Sequence, residues 1–350
     1  MKIVVDDKIP FIREAIAQIA DHVIYKPGPQ IGPADIHDAD ALIIRTRTRC
    51  DESLLKGSKV SFIATATIGY DHIDTEYLKR AHIAWANCPG CNANSVGQYI
   101  HSCLLLLEKE KGTDLKNATI GLVGFGHVGH AVANAIRPLG IHILLNDPPL
   151  KETVRDRNGK IPYDHLLELE ELQERCDIIS FHTPLITDGP HPTFHLADAS
   201  FFNRLKRQPV IINTSRGAVV DNNALLQAIK QRQVQNVIVD TWENEPHINQ
   251  ELLQCVYIGT PHIAGYSADG KANATRMALH ALCQHFHIPE NYQINVPHLP
   301  PDIIPHHRLS SKESALELYN PHTDSMKLKA HPEQFEELRG NYPLRREYWD

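Results

Sequence analysis

Three stretches of the chain place an ionisable side chain just beyond an apolar run. They are Arg216 in Ile211-Ile-Asn-Thr-Ser-Arg216-Gly217, Glu245 in Val239-Asp240-Thr-Trp-Glu-Asn-Glu245-Pro246, and His262 in Ile258-Gly-Thr-Pro261-His262-Ile-Ala-Gly265. An arginine clamps a carboxylate with two parallel donors. A histidine exchanges a proton near neutral pH, and a nearby glutamate can orient that imidazole and stabilise its cation. Together they suit chemistry on a small carboxylic acid. Glu243, in the same stretch, is also open as the partner of His262.

A fourth stretch, Gly124-Phe-Gly126-His127-Val128-Gly129, closes the apolar run Ile120 to Val123 and opens a helical pattern. In that setting the first glycine permits a tight turn and the second lets backbone approach a pyrophosphate. The third lets helix and strand pack closely, with the helix N-terminus facing the negative charge. Asp147 follows at the end of the next apolar run, where a carboxylate can accept hydrogen bonds from a ribose diol and repel a 2′-phosphate. The expected cofactor is therefore NAD rather than NADP.

These groups need strand ends to stand on. Apolar runs at Lys2 to Val5, Ala41 to Ile44, Val60 to Ala66 and Ile83 to Ala86 alternate with helical spacing at Phe11 to Ala20 and Tyr77 to Arg80. A long apolar helix after Asn94-Ser95 leads to a second series of runs, at Ala118 to Val123, Ile141 to Leu145, Ile178 to Phe181, Val210 to Ile212 and Val237 to Val239. Such alternation predicts parallel sheets covered by helices. The fold class is α/β, with two doubly wound, Rossmann-like domains and a cleft between them. After Ile288, prolines 289, 297, 300, 301 and 305 mark a boundary before a polar tail. The expected division is a substrate domain over 1–92 completed by 262–287, a cofactor domain over 93–261, and a small α+β domain over 288–350.

The chain has 350 residues, 42% of them hydrophobic and 22% charged, with a formal net charge of -7. That composition suits a globular protein with room for more than one core, and gives no electrostatic reason to expect nucleic acid or an anionic membrane. No apolar run approaches a membrane span, and the start is strand-like, so a cytoplasmic protein is expected. Seven scattered cysteines suggest no disulfide framework, and Cys88-Pro-Gly-Cys91 reads as a tight turn. His285 with His287, and His306 with His307, lack acidic partners in sequence, so no metal is expected.

Taken together, Gly124 to Gly129, Asn213-Thr-Ser-Arg216-Gly217, Asp240 to Pro246 and Thr260-Pro-His262-Ile-Ala-Gly265 resemble the D-isomer-specific 2-hydroxyacid dehydrogenases. The likeness extends to Ala64-Thr-Ala-Thr67-Ile-Gly69-Tyr-Asp71-His72, to Pro89-Gly-Cys91-Asn92-Ala93 and to tail segments such as Tyr319-Asn-Pro-His-Thr-Asp324, and so covers essentially the whole chain. It implies NAD-dependent oxidation of a small phosphorylated 2-hydroxy acid. Arg216 would bind the substrate carboxylate, His262 would be the acid/base and Glu245 its partner. Thr183, Thr214, Ser215, Arg216, Asp240 and Gly265 fall on cofactor positions, with Asp240 near the nicotinamide; Thr46, Thr67 and Tyr266 fall on substrate positions. The substrate phosphate needs cationic partners, and Arg45, Arg47 and Arg49 are candidates. The resemblance also implies a homodimer, with Leu316, Leu318, Tyr319, Phe335 and Leu338 of the tail buried against a second subunit. The same motifs would serve another member, such as a 3-phosphoglycerate dehydrogenase, or a non-catalytic NAD-sensing module of this fold.

Overall fold

The computed structural model describes residues 1–153, 166–296, 312–343 and 345–347. These form two compact units. The first joins residues 1–92 to 267–296, and the second joins the described residues of 93–266 to the described residues of the tail.

The first unit is built on a parallel sheet of β1 (Lys2–Asp6), β2 (His22–Lys26), β3 (Ala41–Ile44), β4 (Phe62–Thr65) and β5 (Ala84–Ala86), in the order β2-β1-β3-β4-β5. Strands β3 and β4 are buried at every residue, as expected where helices cover both faces. One face packs on Ala274, Ala278, Leu279 and Leu282 of the helix Ala268–Phe286. The other packs on Leu54, Leu55, Ile73 and Leu78. Strand order reverses beside β1, so the carboxyl ends of β1 and β3 flank the switch point where ligand-binding crevices form. Edge strand β2, half-exposed and with only the three apolar residues Val23 to Tyr25 between His22 and Lys26, gives a weak signal in sequence. The helical spacing over Phe11 to Ala20 yields a helix only at Ile12–Ile16, because tight turns such as Gln18 N–H to Ala15 O end it early.

The second unit carries β6 (Thr119–Val123), β7 (His142–Asn146), β8 (Ile178–Phe181), β9 (Val210–Asn213), β10 (Val237–Val239) and β11 (Ile258–Gly259), all parallel. Their order is β11-β10-β9-β8-β6-β7, so the switch point lies between β6 and β8. The helix Ala93–Lys111 buries Leu104 to Leu107 in a core shared with Ile136 of the helix His127–Ile136. On the opposite face, Leu172, Phe201, Leu225 and Leu253 form the other core.

Two features differ from the expected division. Residues 262–266 stay with the second unit, because Ile263 and Ala264 donate their backbone N–H groups to the Asp240 carboxylate. The described tail also belongs to that unit rather than forming one of its own. Among its described residues it forms the helices Lys312–Leu318, Pro321–Ala330 and Phe335–Gly340, and no strand of an α+β domain. Tyr319, Leu328 and Phe335 are buried in the cores of their own chain, and Leu316 and Leu338 pack against them, so these side chains need no second subunit for burial. Prolines 297, 300, 301 and 305 lie outside the described residues.

Leu104 is fully buried in the core beneath the six-stranded sheet. Leu104→Ala should lower stability by about 2–5 kcal/mol through lost apolar transfer and a residual cavity. Urea unfolding should show a lower midpoint with an unchanged slope.

Candidate functional site

The glycine loop leaves β6 at Gly124, whose φ of 93° suits glycine, and a Cβ there would lie 2.8 Å from the His182 carbonyl carbon. Gly126 is the N-cap of the helix His127–Ile136 and faces open space. A Cβ on Gly129 would collide with the carbonyl oxygen of Gly124, so the third glycine is required for the helix to turn back onto the loop. At the end of β7, Asp147 accepts from Phe125 N–H at 2.7 Å with one oxygen and from Leu150 N–H at 2.9 Å with the other. The acid thus braces the glycine loop while standing where a ribose would be read.

Across the switch point, the end of β8 supplies Thr183, whose buried hydroxyl has no hydrogen-bond partner among the described residues. A buried hydroxyl with an unused donor beside a glycine cradle is what a bound dinucleotide would satisfy. Beneath it His182 sits between Ser180 Oγ (3.0 Å from Nε2) and Thr214 Oγ1 (3.4 Å from Nδ1), and burial pushes its pKa down to about 3. It is a neutral packing element. Ser215 is held by its N–H and hydroxyl to Asn213 Oδ1. Arg216 is exposed and donates to the Ser215 carbonyl, with no acidic partner among the described residues. Its guanidinium therefore retains donors for a carboxylate.

His262 and Glu245 are brought together as expected. His262 Nδ1 lies 2.8 Å from Glu245 Oε2, which leaves Nε2 to face outward. Trp242 N–H donates to the other Glu245 oxygen at 2.9 Å. Burial works against ionisation of this carboxyl. The hydrogen bond and charge of His262, the Trp242 N–H and the charge of Arg339 outweigh it and hold Glu245 below the usual range. Glu243 is engaged elsewhere, contacting His195 Nε2 at 2.7 Å and accepting from Asn222 N–H at 2.8 Å. His195, Asp221 and Glu243 are also the one group among the described residues that could hold a metal ion. Of the histidines flagged in sequence, His285 and His287 are not part of that group and His285 stacks on Phe62, while His306 and His307 lie outside the described residues.

Asp240, expected near the nicotinamide, is fully buried and used as an anchor. It accepts from Thr260 Oγ1 at 2.6 Å, Ile263 N–H at 2.8 Å and Ala264 N–H at 2.9 Å. Gly265 and Tyr266 follow on the same loop. Sequence patterns gave no warning of Tyr99, 2.8 Å from Thr260 Oγ1, or of Arg339 and Arg345, because those partners are 70 or more residues away.

In the first unit, Arg45 and Thr46 leave β3 at the switch point. Arg45 Nε donates to the fully buried Asp6 at 3.2 Å. Thr46 is exposed. Thr67 donates to Gly69 O at 2.9 Å and sits 2.6 Å from Thr65 Oγ1, which in turn meets His72 Nε2 at 3.0 Å. Burial lowers the His72 pKa against the pull of Asp71, which suits a neutral imidazole supporting the threonine pair. Arg49 is largely exposed and pairs with Asp51. Cys88 and Cys91 are buried and form no disulfide, around a turn with Gly90 at φ 74°.

Comparison with known proteins fits this arrangement. Residues 104–264 match the family model described as D-isomer specific 2-hydroxyacid dehydrogenase, NAD binding domain. The fold and site are thus those of an NAD-binding oxidoreductase of the 2-hydroxyacid dehydrogenase class. The chain is 53% identical to erythronate-4-phosphate dehydrogenase of Bacteroides thetaiotaomicron over 99% of its own length and 97% of that protein. It is 40% identical to the enzyme of the same name from Porphyromonas gingivalis, over 99% and 94%. The chain therefore belongs to the erythronate-4-phosphate dehydrogenase family. Among solved structures it resembles NAD+-bound 3-phosphoglycerate dehydrogenase of Entamoeba histolytica (TM-score 0.67, 28% identity, 84% of this chain and 98% of that one). D-lactate dehydrogenase of Aquifex aeolicus, complexed with NAD and lactic acid, shares the fold (TM-score 0.64, 22% identity, 82% and 96%).

Replacing Asp147 by Ala should weaken NADH binding by roughly tenfold and narrow its advantage over NADPH, since a ribose acceptor and a charge that repels phosphate are both lost. Dissociation constants for the two cofactors check this. An unchanged ratio would assign ribose recognition to another residue.

Proposed function

We propose that this chain oxidises 4-phospho-D-erythronate at C2 to 3-hydroxy-2-oxo-4-phosphooxybutanoate, a step in pyridoxal 5′-phosphate biosynthesis. The observation that carries the reading is the contact of His262 Nδ1 with Glu245 Oε2 at 2.8 Å, which leaves Nε2 as the outward base. In the proposed reaction His262 Nε2 accepts the proton of the C2 hydroxyl, and the C2–H bond breaks with its electron pair as hydride. NAD, when bound, supplies the acceptor for that hydride. Gly124, Gly126, His127, Val128, Gly129, Asp147, Thr183, Thr214, Ser215, Asp240 and Gly265 are proposed to hold it, with Asp240 acting through the loop that it anchors. Glu245 orients the imidazole and stabilises its cation. Arg216 binds the C1 carboxylate and polarises the C2 oxygen with its remaining donors.

Thr46, Thr67 and Tyr266 are assigned to substrate, and Arg45 to its phosphate. Arg45 stands at a switch point, where the residue types on strand exits face ligand. A homodimer is proposed from the family likeness; Met326, on the tail helix Pro321–Ala330, is an exposed large apolar side chain suited to such a surface. None of the seven cysteines forms a disulfide, which fits a reducing compartment and the proposed cytoplasmic location. No helix among the described residues is long and apolar enough to cross a membrane.

His262→Ala should lower kcat by roughly 10²–10⁴-fold, the range for a lost general base, while NADH binding persists by fluorescence titration. Near-normal turnover would overturn the assignment.

Arg45→Lys keeps a cation beside Asp6 but loses the planar fork. It should raise KM for 4-phospho-D-erythronate by roughly tenfold and leave KM for D-erythronate nearly unchanged. Equal losses on both substrates would place the phosphate site elsewhere.

A further inference from the structure

We propose that Arg339, delivered by the C-terminal tail, is a positioning residue for the His262–Glu245 pair. The inference rests on the reading of His262 as the acid/base. Arg339 lies on the helix Phe335–Gly340, whose first residue, Phe335, is buried in the core with Leu328. Its Nη1 stands 3.5 Å from Glu245 Oε2, the same oxygen that meets His262. Its Nε donates to the Tyr266 hydroxyl at 3.3 Å. One guanidinium therefore touches the partner of the proposed base and a proposed substrate residue.

The tail is fastened to that loop by a second arginine. The guanidinium of Arg345 is buried and donates to the carbonyls of Ser95 (3.1 Å), Ile263 (3.1 Å), Ala264 (2.5 Å) and Tyr266 (2.7 Å), and to Gln98 Oε1 (2.9 Å). Its face lies 4.1 Å over the Tyr319 ring. A buried cation satisfied by backbone carbonyls on the 263–266 loop holds tail and loop in one register. The position of Arg339 against Glu245 is thus set by packing.

Arg339 and His262 meet the same carboxylate oxygen of Glu245. Arg339 restrains the Glu245 carboxylate and offsets part of its charge, so that Glu245 orients His262 without gripping its proton too firmly. Among the described residues, the other charged or titratable groups that act on this pair include Asp240, whose charge couples to His262, and Glu336 and Tyr266, whose charges act on Arg339. Without Arg339, the full charge of Glu245 acts on His262 and favours the imidazolium, the form that cannot accept the hydroxyl proton.

The test uses the full chain with Arg339→Gln, Arg339→Lys and His262→Ala, measuring kcat, KM, the pH dependence of kcat/KM and thermal unfolding. Arg339→Gln should lower kcat by roughly tenfold and move the acid limb of kcat/KM to higher pH by about half to one unit. Arg339→Lys should restore most of both. If Arg339→Gln does not fold, Arg339→Met replaces it with the same expectation. A neutral variant with wild-type kcat and pH profile would overturn the inference. So would a loss of activity that follows unfolding with the acid limb unmoved, or a Lys variant no better than the neutral one. Loss of turnover in His262→Ala with wild-type behaviour in the Arg339 variants would sink this inference alone. Retained turnover in His262→Ala would sink the underlying reading.

Discussion

The buried carboxylate of Asp240 is the constraint on which the His262 loop depends. A carboxylate removed from water is costly unless donors replace the lost hydration, and here the replacements are the Thr260 hydroxyl and the N–H groups of Ile263 and Ala264. Those two N–H groups follow His262 directly, so the anchor for the charge also fixes the backbone that presents the His262 imidazole. His262 N–H donates to the Asp240 carbonyl as well, at 2.8 Å, and the residue is held at φ 57°, a conformation most side chains avoid. Burial pushes the Asp240 carboxyl above the usual range, while the charge of His262 and the three donors act against that shift. The chain of contacts continues inward, with Tyr99 donating to Thr260 Oγ1 from the long central helix.

Around this anchor the second unit meets its other needs with main-chain geometry. The glycine loop and the helix that it opens offer N–H donors and a dipole end at the β6/β8 switch point, where strand order leaves room for ligand. Neutral His182 fills the space below, between two hydroxyls, and so adds no charge of its own beneath the glycine loop. The proposed catalytic residues and the proposed cofactor residues of this unit thus both follow strand ends of one sheet. The tail adds a cationic brace from outside the sheet, through Arg345 on loop carbonyls and Arg339 on Glu245. A segment whose apolar residues suggested assembly also serves, within its own chain, as part of the scaffold.

Much of this was legible in the order of residues. Continuous apolar runs of four or five residues, separated by helical spacing, are what parallel strands buried on both faces require, and they announced most of both sheets. The glycine loop was equally legible, because a sharp turn and a close helix–strand approach admit few other residues. Arg216, Glu245 and His262 stood out as candidates because functional groups in such sheets collect just past strand ends. Edge strand β2, half-exposed and without such a run, left little trace.

Partnerships were decided only by tertiary structure. Glu243 and Glu245 are two residues apart, yet Asn244 between them has φ 61°, and their side chains serve His195 and His262 respectively. Asp240 became an anchor, and the tail arginines reached the loop, through contacts that no local pattern encodes. The sequence by itself determined which segments form strands, helices and turns, because short-range sterics and the period of burial act within a few residues. Which charge meets which depends on where distant segments come to rest and which way each side chain then points, and packing alone decides that.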